Sequence, residues 1–316
     1  MLQMSKSPKK IVPRTRASRP ATYPAAGARL NAGMPCDTAF RIIARRHLAS
    51  LGAYRDATAE GDADALHEMR VALTHLRSAI RFFSPVIDDT LKQRVWSELK
   101  WLNGELGGVR DLDVTIERIA AVHPERPEDI PHFTSWQQKR AESYRRLAKA
   151  LKSARFERLM AQTSAWVIGG SWSTIAAKQA AKQRATPVTV FAAQKLADWE
   201  KKLLRRSHKL RDLNAGKRHR LRLLTKRLSY SIESLADLLE DKALSKQKVA
   251  LKPLRKAQRC LGQLNDDVNG QRLAVALRKQ GIAVPLQRLG AKHKRRLLKD
   301  ADAAYRTLAA LDLVTK

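Results

Sequence analysis

The sequence has few cysteines, few aromatic residues, few acidic residues and no long apolar run. Its 2 cysteines, Cys36 and Cys260, cannot form a disulfide framework, and we expect a reduced, cytoplasmic setting. No stretch approaches the roughly 18 apolar residues of a membrane-spanning helix. The basic N-terminus contains no apolar segment typical of a secretory signal. These absences predict a soluble chain without a membrane span.

Basic residues outnumber acidic residues by about two to one. The 316 residues include 62 Lys+Arg and 30 Asp+Glu, for a formal net charge of +32. Such a surplus destabilises a compact chain through self-repulsion, and it is typical of proteins whose partner is a polyanion or an anionic surface. Nucleic acid, inorganic polyphosphate and membrane head groups all meet this requirement.

The cationic surplus begins in residues 1–35. This segment has seven Lys and Arg residues, no acid and five of the 12 prolines. It cannot bury enough apolar surface to offset chain entropy, which predicts a disordered basic tail. Two readings of the tail stay open: a solubilising leader, or an additional contact with a polyanion that includes weak nucleic-acid binding.

The remainder, residues 36–316, has helical periodicity almost throughout and no hairpin signal, so we predict an all-α fold. It divides into an N-terminal half, about 37–183, and a C-terminal half, about 187–316. Proline and glycine mark most of the breaks between helices. The predicted helices span residues 37–59, 63–84, 88–107, 111–122, 132–152, 154–183 with an interruption near Gly169-Gly170, 187–213, 217–240, 243–264, 266–280 and 285–312.

Two motifs occur in both halves. HEMRVALTHLR at residues 67–77 is echoed by HRLRLLTKRLS at 219–229, so that His219 stands 152 residues after His67. LGGVRD at 106–111 is echoed by LGQLND at 261–266, with an offset of 155 residues. The nearly constant offset indicates a duplicated helical unit.

A cationic row follows the first motif. With about 100° per residue, the row lies beside the apolar seam of its helix and not opposite to it, which is typical of a groove edge. Arginine presents a rigid fork of donors that matches phosphate oxygens, and histidine adds donors that titrate. The row comprises His67, Arg70, Arg77 and Arg81 in the first copy, and His219, Arg222, Lys226 and Tyr230 in the second.

The second motif predicts a helix break at Gly107-Gly108 with Asp111 as the N-cap of the next helix, and the same cap at Asp266. Arg110, just before that cap, is an anion-binding candidate in the first half. Lys100 and Arg255 correspond under the offset of 155, which adds both to the candidates.

Together, HEMRVALTHLR, LGGVRDLDV, HRLRLLTKRLSYSIE and LGQLNDD resemble the signatures of the CHAD (conserved histidine α-helical domain) family over about residues 37–316. The resemblance implies two pseudo-symmetric antiparallel helical bundles around a basic central cavity that binds inorganic polyphosphate, often at polyphosphate granules. It adds Arg227 to the site and matches Tyr230 and Glu233 to family positions. The chain departs from the family at Thr74, His75 and Ser229.

Two other functions remain open: non-specific DNA or RNA binding, and phosphohydrolysis or phosphoryl transfer. No helix-turn-helix, zinc finger or single-strand stacking platform is visible. There is also no Walker-type loop, no acidic cluster for two metals and no histidine spacing suited to zinc. We therefore expect a binding module with no catalytic residue, no metal and no cofactor.

Overall fold

The computed structural model describes residues 28–121, 125–126, 128, 132–175, 178–240, 244–279 and 288–311. Within these residues the fold is all-α, with no strand and one isolated β-bridge between Pro35 and Pro187. None of the helices described there combines the length and hydropathy that a membrane crossing requires. The helices are α1 (Cys36–Ala53), α2 (Arg55–Ala59), α3 (Ala63–Phe82), α4 (Lys92–Ala120), α5 (Phe133–Leu151), α6 (Ala154–Gly169), α7 (Lys178–Ala185), α8 (Val188–Ser207), α9 (Ala215–Ser234), α10 (Ser245–Arg278) and α11 (Ala291–Leu311).

The two repeated helices begin at side-chain caps. Asp62 precedes α3, and its carboxylate accepts hydrogen bonds from the backbone N–H groups of Asp64 and Ala65. Asn214 precedes α9, and its side-chain oxygen accepts from the N–H of Lys217. Each cap satisfies donors that have no partner within the first helical turn, and so it fixes where the helix begins.

The predicted helix breaks at the second motif are wrong. α4 runs through Gly107-Gly108, and α10 runs through Asn265-Asp266, so neither Asp111 nor Asp266 is an N-cap. Glycine costs only about 1 kcal/mol in a helix interior, and tertiary packing overrides that preference here. Pro253 likewise lies inside α10 without ending it.

The apolar seams of the repeated helices form the core. The seam of α3 is fully buried, as its spacing predicts, and the same holds for most of the α9 seam, where Leu224 is only partly buried. Both seams belong to one continuous hydrophobic cluster. Their buried residues are Leu66, Met69, Leu73, Leu76 and Ile80 in α3, and Leu221, Leu228 and Ile232 in α9.

The helix packing brings the two copies of the motif together. α3 packs against α1, α4 and α9, and α9 packs against α8, α10 and α3. The cationic rows of the two halves therefore lie on neighbouring helices.

The last residues of the predicted basic tail pack against the helices. Leu30 and Met34 are buried, and the backbone N–H of Leu30 donates to the Asp237 carboxylate at 3.2 Å. The rest of the predicted tail, residues 1–27, lies outside the described residues.

Candidate functional site

Arg70 and Arg222, the arginines three residues after each repeated histidine, each lie against a helix glycine. A Cβ atom added to Gly107 would lie 3.3 Å from Nη1 of Arg70, and one added to Gly262 would lie 3.9 Å from Nε of Arg222. Gly107 and Gly262 occupy the same place in the two copies of the second motif. In the α3–α4 pair and in the α9–α10 pair, an arginine of the first helix therefore lies over a glycine of the second helix.

Lys226 joins the two halves. Its pKa is lowered to about 8, first by burial and then by the positive charges of Arg222 and Arg70. Arg222 lies on α9 and Arg70 on α3. Cations from both repeated helices thus share one electrostatic environment around Lys226.

A second group of cations lies against tryptophan rings. The guanidinium carbons of Arg77 and Arg81 are 4.9 Å and 4.5 Å from the centre of the Trp96 ring, within the range of a cation–π contact. Arg227 lies 5.7 Å from the Trp199 ring. Burial lowers the pKa of Arg227, and the charge of Arg81 adds to that effect. Arg227 therefore belongs to the same cluster, although the helical wheel places it off the predicted row.

Three of these arginines have buried donors without a hydrogen-bond acceptor among the described residues, although the negative charge of Asp111 acts on Arg70. Burial also lowers the pKa of Arg70, Arg77 and Arg81. Nη1 of Arg70, Nε of Arg77 and Nε of Arg222 are buried, and the described part of the chain offers them no hydrogen-bond partner. A buried donor without an acceptor is costly, so the arrangement favours an external anion. We call Arg70, Arg77, Arg81, Arg222, Lys226 and Arg227 the cationic cluster.

An aromatic group with two histidines borders the cluster. The His75 ring lies 4.7 Å from the Tyr230 ring and stacks on His47 at 5.1 Å. Tyr230 in turn lies 5.3 Å from Nζ of Lys226. Burial lowers the pKa of His47 to about 3, and the neighbouring His75 contributes in the same direction. The sequence reasoning missed His47, since no motif connects α1 to the repeated helices.

Glu233 is the carboxylate beside this group. Its Oε1 accepts from Nε and Nη2 of Arg255 at 3.1 and 2.9 Å, and its Oε2 lies 3.8 Å from Nε2 of His75. Arg255, a predicted anion contact, is therefore already paired with a carboxylate.

The other predicted residues make contacts of their own, and among them Arg110 lies close enough to Arg70 for its charge to lower the Arg70 pKa. Nδ1 of His219 is 2.8 Å from Oδ1 of Asn265, and Nη1 of Arg110 pairs with Glu117 at 3.2 Å. His67 and Lys100 have exposed side chains. His219 also lines a cavity of about 280 Å³ at the start of α9, together with Arg218, Arg220 and Arg272.

Metal-ligating side chains do not gather in the described ranges. No three of the histidines, cysteines and carboxylates there are close enough to hold an ion. The chemistry that the described cluster supports is the binding of a negatively charged ligand.

The structure is thus that of an all-α protein in which two repeated helices bring arginines and a lysine together. The family model of the CHAD domain matches residues 42–275, more than half of the chain, and the chain belongs to this family, which is associated with polyphosphate binding. The chain is also similar to the crystal structure of the CHAD domain from the plant Ricinus communis, with 25% identity and a TM-score of 0.68. That match covers 94% of this chain and 96% of the plant chain. Comparison with curated proteins finds no match.

Proposed function

We propose that this protein binds inorganic polyphosphate at the cationic cluster. The observation that carries the proposal is the convergence of Arg70 and Arg222 on Lys226, with buried guanidinium donors that have no acceptor among the described residues. Membership of the CHAD family supports the choice of ligand.

The residue types suit a linear phosphate polymer. Each arginine offers a planar fork that can hold two phosphate oxygens, and Lys226 adds a compact charge. The cluster draws on both α3 and α9, so its cations are spread over several positions and can match a ligand that has a charge on every unit. Trp96 and Trp199 hold arginines in place, and this use favours the phosphate polymer over stacked bases.

The protein acts as a binding module and not as an enzyme. Glu233, the carboxylate whose charge acts on Tyr230, is engaged by Arg255 and His75. A general base needs a free carboxylate or imidazole within reach of its proton. We further propose that the protein resides in the cytoplasm at polyphosphate granules, where its ligand is concentrated.

The direct test is calorimetric titration with polyphosphate of defined length at increasing salt. The logarithm of the association constant should fall linearly with the logarithm of the salt concentration, with a slope of up to about −4 if all six cations contribute about 0.7 each. Absence of binding at low ionic strength would contradict the proposal.

Two further arms address the alternative functions. In a competition at physiological salt, polyphosphate should displace duplex DNA, and displacement in the opposite direction would favour a nucleic-acid binder. Incubation of polyphosphate with the protein and magnesium should release no phosphate. Measurable release would favour a phosphohydrolase.

A further inference from the structure

The two repeats differ in charge at one end of the cationic row. Under the offset of 152 residues, Glu233 stands in α9 where Arg81 stands in α3. Under the offset of 155 residues, Arg255 corresponds to Lys100. At these two positions the first repeat therefore carries two cations, Arg81 and Lys100. The second repeat carries an acid and a base, Glu233 and Arg255.

The acid and the base of the second repeat neutralise each other. The Glu233 carboxylate accepts two hydrogen bonds from the Arg255 guanidinium and also lies beside His75. The Glu233 side chain is 23% exposed and the Arg255 side chain is 56% exposed, so solvent screens the pair in part. Arg255 consequently adds no net charge to an anion that approaches along α9.

The corresponding end of the first repeat, around Arg81, is cationic. Arg81 and Arg77 share the Trp96 ring, and Arg81 lies near Arg227 of the other repeat. On α9, Lys226 contacts the ring of Tyr230, and the pKa of Tyr230 is raised by burial and then by the charge of Glu233. Cations therefore continue from Lys226 and Arg227 to Arg81, whereas the group next to Tyr230 on its other side is a carboxylate paired with Arg255.

We propose that Glu233 is a specificity-determining residue that ends the anion track at Tyr230. This inference rests on the proposed function and concerns which phosphate units of the polymer contact the protein. A polyphosphate chain lies on the cationic cluster toward Arg81, and a phosphate placed beyond Tyr230 meets a carboxylate in place of a free cation. The carboxylate thus limits how many units of a long chain are held and gives the site a polarity that the duplication alone would not provide.

The test replaces Glu233 with a residue of the same shape. Glu233→Gln keeps an oxygen that accepts from Arg255 but removes the negative charge, so Arg255 becomes available to phosphate. Glu240→Gln is the matched control, because it removes one charge from an exposed carboxylate that pairs with Lys248, away from the residues of the cluster. Both variants and the wild type are titrated with long-chain polyphosphate and with tripolyphosphate over a range of salt.

The expected result is specific to long chains. E233Q should bind long-chain polyphosphate about two- to fivefold more tightly than E240Q, the equivalent of one exposed charge contact. Its salt slope should be steeper by about 0.7, as expected for one added phosphate contact. Tripolyphosphate, which is short enough to stay on the cationic cluster, should gain much less.

A double variant tests whether the gain in binding by E233Q depends on Arg255. E233Q/R255Q should lose the added salt slope, because the cation that Glu233 had neutralised is gone. Equal affinities and slopes for E233Q and E240Q would overturn the inference while leaving the proposed function intact. Loss of polyphosphate binding by the wild type would instead count against the proposed function.

Discussion

The guanidinium group of Arg70 lies against Gly107, and a methyl group at that glycine would lie 3.3 Å from Nη1 of Arg70. The contact is tighter than an ordinary van der Waals contact, so the arginine would have to shift. Gly107 sits in the interior of α4, where glycine is normally unfavourable. Because Gly107 has no side chain, the half-buried Arg70 can approach the neighbouring helix this closely.

Gly107→Ala should therefore weaken polyphosphate binding several-fold, because the added methyl forces the Arg70 guanidinium to move by a few tenths of an ångström within the cationic cluster. The adjacent Gly108→Ala is the control, since a Cβ at Gly108 meets nothing within 4 Å. Gly108→Ala should leave binding unchanged and raise the free energy of unfolding by about 0.5–1 kcal/mol, through the better helix propensity of alanine. Equal binding by the two variants, measured by calorimetry, would show that the position of Arg70 is unimportant.

Binding should depend on pH through Lys226. Its pKa in the free protein is lowered to about 8, and a bound anion favours the charged form. Affinity should therefore be nearly full below pH 7 and fall about tenfold between pH 7 and pH 9, as the free protein loses this proton. Tyr230 does not contribute in this range, because its pKa is raised from its usual value.

Lys226→Arg separates this effect from general changes with pH. Arginine keeps its charge up to pH 9, so the variant should bind polyphosphate with nearly constant affinity over the same range. If wild type and Lys226→Arg show the same pH profile, Lys226 is not part of the site.

Stability at low pH should depend on His47. Its pKa is lowered to about 3 in the folded protein, whereas an unfolded chain has the ordinary histidine value near 6.5. The unfolded state therefore binds the proton more readily below pH 6.5, and stability is lost as pH falls from about 6.5 toward 3. Above pH 6.5 both states are neutral at His47, and this contribution is fully present.

The comparison variant is His47→Phe, which keeps a ring against His75. Chemical denaturation should show that the wild type loses about 2 kcal/mol more than this variant between pH 7 and pH 4.5. Carboxylates with a lowered pKa, such as Asp237 and Asp267, affect both proteins equally. Parallel pH profiles would contradict a neutral, desolvated His47.

The helical content and the apolar seams were predictable from local spacing, because Leu66, Met69, Leu73 and Leu76 recur on one face and that face is buried. The continuity of α4 and α10 was not predictable. Gly107-Gly108 is a typical helix end by propensity, and local propensity does not reveal the packing of α4 against α3 and of α10 against α9, through which both helices continue.

The candidate site shows the same division between local and long-range information. The repeat singled out Arg70, Arg222 and Lys226, which the structure brings together. His47 and its stacking on His75 depend on the packing of α1 against α3, for which the sequence carries no local signal. The pairing of Arg255 with Glu233 could not be inferred from the row of cations alone.

The most direct test of a defined polyphosphate site compares two double variants in calorimetric titrations with polyphosphate at fixed salt. Arg70→Ala/Arg222→Ala removes one arginine from each repeat, whereas Lys201→Ala/Lys202→Ala removes two exposed charges from α8. The first should lower affinity about 100-fold, as two lost charge-assisted contacts would. The second should lower it only about twofold, the effect of exposed charges. Equal losses would mean that the chain attracts polyphosphate diffusely and has no defined site between its repeated helices.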